Sequence, residues 1–193
     1  METDNWPPCI ITAFDLVGTR SLSSSGEGSS MMQQMHSFAY SKINYCLLNH
    51  EHGYIWNDSV LLLSYQTKPA HKRRVVLDEL IDFKRTLDNH CGTTTYAISV
   101  MGLAFPSDPM ATPVYNGQIG LQPRAVILKT SSWAMANCFR IEEKLGHHHA
   151  DWYIDSRITT NMELPPPFVS EDLPLLPSND PRTVNMYRGY LSK

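Results

Sequence analysis

The chain has no Cys-x-x-Cys pair, no long apolar run, no surplus of positive charge and no internal repeat. Each absence removes a class of protein. The four cysteines, at 9, 46, 91 and 138, stand far apart, which argues against a disulfide framework and against a thiolate zinc site. Buried, reduced thiols in a cytosolic protein are the reading that remains. The longest apolar stretch, around residues 60–63, is far too short to cross a bilayer, so no membrane partner is expected. Residues 1–8 are polar and acidic, and no secretory signal is expected there. Sixteen Lys and Arg face nineteen Asp and Glu, for a net charge of −3. A nucleic-acid duplex is therefore not an expected partner. A nucleotide substrate stays open, because bound metal ions can supply positive charge locally.

What is there fits one globular domain: 193 residues, 42% hydrophobic and 18% charged. The sequence predicts a domain over residues 1–160 and a Pro-rich tail over 161–193, packing on the domain or extending from it. Residues 9–16, rich in β-branched and aromatic side chains, read as a buried strand, followed by a Ser/Gly loop over 21–30. The spacing of Met31, Met35, Phe38, Ile43, Cys46 and Leu47 predicts a helix over 30–49. Residues 53–65 read as two strands around an Asn57-Asp58 turn, the second covered on both faces. A second helix over 72–89 is closed by Gly92. The basic run Lys72-Arg73-Arg74 at its start reads as a solvated helix end or a nucleotide-steering patch.

Residues 93–105 read as a strand, with Gly102 marking a bulge or a close approach. A Pro/Gly loop over 106–122 and a strand over 124–128 come next. Ser131 or Ser132 then caps a third helix to Leu145. Ala134, Cys138, Ile141 and Leu145 line its apolar face, with Asn137, Arg140 and Lys144 on another. Residues 151–158 give a last core strand, and His147-His148-His149 an exposed turn or a metal chelate. The order predicts an α+β fold of the split βαβ (ferredoxin-like) kind, with helices on one face of a mostly antiparallel central sheet.

Asp15 and Asp58 carry the chemistry. Each is an acid in an apolar strand context, where a lone carboxylate is costly. The fold can bring them together, and two carboxylates at one spot repel unless a divalent metal bridges them. Gly18 and Thr19 can aim backbone N–H groups at a triphosphate, although small polar loops are also common without a ligand.

Phe14-Asp15-Leu16-Val17-Gly18-Thr19, then a helix, then Tyr54-Ile55-Trp56-Asn57-Asp58-Ser59-Val60-Leu61 resembles class III adenylyl and guanylyl cyclases. More closely, it resembles the small pyrimidine cyclases of Pycsar antiphage defence. The acids stand 43 positions apart, close to the family's separation. The stretches Ala97-Ile98-Ser99 to Gly102 and Ala134 to Glu142 are similar to the family's later strand and helix, so the likeness spans roughly residues 9–158.

The resemblance implies flanking helices around the sheet and two metals per active site, Mn²⁺ or Mg²⁺. Asp15, Asp58 and the main-chain carbonyl of Leu16 would bind them. It also implies a cytoplasmic homodimer with interfacial active sites. The activity implied is conversion of UTP to cyclic UMP and pyrophosphate, as a signal to a separate cyclic-nucleotide-responsive effector. Cytidylate cyclisation of CTP is the alternative. A catalytically silent nucleotide-binding regulator is another. Tyr54 takes the place of the purine-contacting lysine of adenylyl cyclases, and would contact a pyrimidine or merely pack across strands. The family's Asn-x-x-x-Arg helix is shortened by one residue to Asn137-Cys138-Phe139-Arg140. Arg140 is the candidate for the transition state, or a solvated helical arginine. Arg20 and Lys129 are further phosphate candidates without motif support.

Overall fold

In a computed structural model, residues 7–17, 26–103, 133–145, 151–163, 171–174 and 185–189 are described. Their order is β1 (Pro8–Leu16), α1 (Glu27–Tyr45), β2 (His52–Trp56), β3 (Ser59–Ser64), α2 (Ala70–Cys91) and β4 (Thr95–Leu103), then α3 (Trp133–Leu145), β5 (Trp152–Asp155), β6 (Glu171–Pro174) and β7 (Asn185–Gly189). The strands form one sheet in the order β2-β3-β1-β4-β5-β7-β6. Among the described residues, only the β4–β5 pair is parallel. The first six elements make the split βαβ arrangement, with β1 antiparallel to β3 on one side and to β4 on the other.

β1 is central because both of its faces are apolar. Strand alternation sends Ile10, Phe14 and Leu16 into one core cluster and Cys9 and Ile11 into a second. α1 and α2 cover the first face through Met35, Phe38, Leu77, Leu80 and Phe83. There Phe14 meets Phe83 at 5.1 Å and Trp152 at 5.7 Å between ring centroids. α3 covers the second face with Ala134, Met135, Cys138 and Ile141. The expectation of helices on one face is thereby corrected. The run Val60-Leu61-Leu62-Leu63 divides between both clusters and needs cover on each side.

Polar groups fix the ends of the elements. Trp152 donates its indole N–H to Ser99 Oγ at 2.9 Å, and Ser99 and Thr12 share a 2.7 Å hydroxyl bond. This buried network ties β5, β4 and β1 together. On α2, the buried Lys84 ammonium meets Asp88 at 2.6 Å. The other Asp88 oxygen accepts from Thr95 N and Oγ1, at 2.8 and 2.7 Å. That anchors the first residue of β4, which lies opposite Leu16.

The basic run splits by role. Arg73 is buried and donates to the carbonyls of Ile158 (2.7 Å), Thr67 (3.0 Å) and Thr160. Arg74 pairs with Asp78 at 2.9 Å. Neither the solvated end nor the steering patch describes Arg73, because its guanidinium closes the segment after β5 onto the start of α2.

Gly92 ends α2 in the left-handed conformation, φ 64°. α1 stops at Tyr45, four residues short of the expected end, which leaves Cys46 exposed rather than in the apolar stripe. The expected strand over 124–128, the loop over 106–122, the helix cap at Ser131 or Ser132 and the prolines at 165–167 lie outside the described residues.

Gly102 is a close approach. A Cβ there would stand 2.8–2.9 Å from the main-chain N and Cα of Ala134, so a bare glycine lets α3 settle on β4. Gly102→Ala should cost about 1–3 kcal/mol, the scale of overpacking a tight contact. Urea denaturation checks this, and an unchanged midpoint would contradict the packing.

Candidate active site

Asp15 occupies the last row of β1 that pairs with β3. Alternation turns its side chain toward the α3 face, between Ser59 of β3 and Tyr96 of β4, its partners in the two ladders. Ser59 Oγ donates to Asp15 Oδ1 at 2.5 Å. The Tyr96 hydroxyl donates to Glu142 Oε1 on α3 at 2.8 Å and lies within hydrogen-bonding reach of Asp15.

Asp58 arrives by a different route. It sits in the two-residue β2–β3 turn, between the paired Trp56 and Ser59. Leu16 N–H donates to the Asp58 carbonyl at 3.0 Å. One main-chain bond therefore spans the 43 positions between the acids and sets both at the same end of the sheet. The Leu16 side chain is buried in the α1/α2 core, so only its main chain faces this end.

The electrostatics follow from that crowding. Burial pushes the Asp15 carboxyl up to about 6. The Ser59 bond lowers it, the negative charges of Asp58 and Glu142 raise it further, and the Tyr96 bond lowers it. The Tyr96 hydroxyl is pushed far above its ordinary range by burial, then by the Asp15 and Glu142 charges. An acid held this way resists ionising alone and gains from a cation. Among the described residues, no three His, Cys, Asp or Glu side chains form a metal cage. Two carboxylates and a main-chain carbonyl are a hard-oxygen donor set, which fits Mg²⁺ or Mn²⁺ that complete their coordination with water and phosphate.

Tyr54 is half-buried on β2 and packs against the cluster on the α3 face. It stacks on His52 at 6.3 Å. Its register through Leu61 to Ala13 places it two strands and two residues from Asp15, a backbone separation of roughly 12 Å. Arg140 is half-buried on α3. Asn137 is buried, 8% exposed, and so does not share a separate polar face with Arg140. It follows Ala134 by three positions and precedes Cys138 and Ile141 by one and four, which puts it in the helix stripe facing the sheet. Gly18, Thr19, Arg20, Lys129 and His147 to His149 lie outside the described residues.

Ser59, Tyr96 and Glu142 escaped the sequence reading. Alternation along β4 from Ile98 and Val100 back to Tyr96, and the i, i+4 step from Cys138 to Glu142, were the signals that could have found them.

No protein-family model matches the chain, and no curated protein sequence is similar to it. Solved structures are similar in fold. A bacterial light-regulated adenylyl cyclase aligns with TM-score 0.57 at 10% identity, over 98% of this chain and 93% of that one. The guanylyl cyclase Cya2 aligns with TM-score 0.56 at 12% identity, over 96% and 92%. The catalytic core of a rhodopsin-guanylyl cyclase with converted specificity, in complex with ATPαS, aligns with TM-score 0.55 at 12% identity, over 96% of each chain. The chain thus has the class III cyclase fold, an α+β architecture with a largely antiparallel sheet. At such identity the likeness is one of fold. No helix among the described residues is long and apolar enough to cross a membrane.

The raised Asp15 carboxyl has a signed consequence. Its native pKa, about 6, lies above the unfolded value near 4. The native state therefore binds the proton more tightly, and this stabilising contribution is lost as pH rises through about 6. In the presence of chelator, Asp15→Asn should be more stable than the parent at pH 7 by up to about 2 kcal/mol. The gap should close as pH falls toward 4. Thermal denaturation from pH 4 to 8 measures it, and parallel pH profiles would contradict the buried-acid account.

Proposed function

We propose that the chain is a nucleotidyl cyclase that converts a pyrimidine nucleoside triphosphate, UTP ahead of CTP, into its 3′,5′-cyclic monophosphate. The single observation behind this is the Leu16–Asp58 main-chain bond, which sets Asp58 beside the half-hidden Asp15. A fold shared with adenylyl and guanylyl cyclases supports it. So does the rhodopsin-guanylyl cyclase core of that fold that was crystallised with ATPαS.

In this reading Asp15, Asp58 and the Leu16 carbonyl hold two divalent ions, Mn²⁺ or Mg²⁺. When bound, these ions supply Lewis acidity at the ribose 3′-hydroxyl and neutralise phosphate charge. A bond forms from the 3′-oxygen to the α-phosphorus, the bond to the β-phosphate oxygen breaks, and pyrophosphate leaves with the hydroxyl proton released. Ser59 holds Asp15 in line by its bond to it, with the Tyr96 hydroxyl alongside. Tyr54, on the same face as Asp15, contacts the base, its hydroxyl bonding the pyrimidine edge. Gly18 and Thr19 cradle phosphate, and Arg140 approaches the transition-state charge. The enzyme works in the cytoplasm as a homodimer with sites at the interface. Its product is a second messenger in antiphage defence, read by a separate effector.

A silent, nucleotide-binding regulator is the second reading. The burial of Asn137 favours it, because a buried amide is withdrawn from an open substrate site. Incubation with each of ATP, GTP, CTP and UTP in Mn²⁺ decides between them. Cyclic UMP and pyrophosphate are expected. Saturable binding with no turnover favours the regulator, and a purine product removes the pyrimidine assignment. Asp58→Ala should lose at least about 100-fold in turnover while keeping its melting temperature. Tyr54→Ala should chiefly erode base discrimination, so unchanged selectivity between UTP and ATP would remove the base-contact role.

A further inference from the structure

We infer that His36 is a positioning residue that fixes the direction of the Asp58 side chain from outside the site. His36 lies in the middle of α1, and its Nε2 is 2.5 Å from the main-chain carbonyl oxygen of Asn57. A carbonyl only accepts, so Nε2 carries the proton and donates. The helix beneath the ring is firmly seated: Met35 and Ala39, one residue before and three after, are fully buried in the core.

The bond falls at a telling place. The Asn57 carbonyl belongs to the same peptide unit as the Asp58 N–H. The next peptide unit begins with the Asp58 carbonyl, which accepts from Leu16 N at 3.0 Å. Both peptide planes flanking the Asp58 Cα are therefore held, one by α1 and one by β1. Two fixed planes fix the Cα–Cβ vector, the direction in which the carboxylate leaves the main chain. The bond also steadies a residue that needs it, since Asn57 has φ 49°, a left-handed conformation sparsely used outside glycine. Without His36, the turn would lose its tether to α1. Asp58 could then swing relative to Asp15.

The inference rests on the proposed role of Asp58 as a metal ligand, so its test measures metal binding apart from catalysis. Free Mn²⁺ is followed by electron paramagnetic resonance with no nucleotide present, for the parent chain, His36→Leu and His36→Gln. The Gln amide nitrogen reaches the position of Nε2 and keeps a donor there. His36→Leu should weaken Mn²⁺ binding by roughly three- to tenfold, the scale of one lost hydrogen bond. His36→Gln should recover most of it, with melting temperatures close to the parent's. If His36→Leu does not fold, His36→Asn replaces it, because its shorter amide cannot reach the carbonyl. Parental affinity in the donor-less variant, no recovery in His36→Gln, or a parent that binds no Mn²⁺ would each overturn the inference. A parent whose Mn²⁺ binding depends on His36 yet which turns over no nucleotide would sink the cyclase reading and leave this one standing.

Discussion

The hydrogen bond from Leu16 N–H to the Asp58 carbonyl governs the rest of the site. It carries the β1–β3 ladder one step beyond the Asp15–Ser59 pair and lashes the tip of a hairpin to the end of the central strand. A ladder bond of this sort is modest in net energy, about 1 kcal/mol. Its value here is geometric. The strands on both sides are sealed between two apolar clusters, so slipping the register by one residue would turn every buried side chain to the wrong face. The cores of the protein thus enforce the meeting of two acids that repel each other.

That meeting leaves a local excess of negative charge. Asp58 and Glu142 both act on Asp15, and the neutral Ser59 and Tyr96 hydroxyls offset only part of the repulsion. α3 matters because it contributes Glu142 and closes the face on which Asp15 opens. The bare Gly102 sets how deeply that helix sits. Fold and charge are coupled here: a helix packed a little higher would carry Glu142 away from Tyr96 and change the environment of Asp15.

Much of this was legible in the residues. The Asn57-Asp58 turn, the closing Gly92 and the close approach at Gly102 each follow from local chemistry. Asn tolerates a left-handed turn, glycine ends a helix, and a strand glycine admits a neighbour. What stayed hidden depended on contacts distant in sequence. Arg73 looks like a solvated cation until the carbonyls of Ile158 and Thr160, some 85 residues on, come to meet it. β6 and β7 lie in a stretch whose prolines argue for an extended tail, and only the pairing of β7 with β5 and of β6 with β7 makes them strands. Asn137 reads as polar surface beside Arg140 and Lys144, and only the packing of α3 on the sheet buries it. The contribution of His36 required knowing which helix passes behind the turn.

The thiols carry a practical consequence. Cys9, Cys91 and Cys138 are buried, whereas Cys46, just past the end of α1, is open to solvent. The unmodified chain therefore offers a single accessible attachment point for a maleimide dye or spin label, directly after the helix that bears His36. A probe there would report on movements of α1 against the hairpin without any engineered cysteine, and without disturbing the face that holds Asp15.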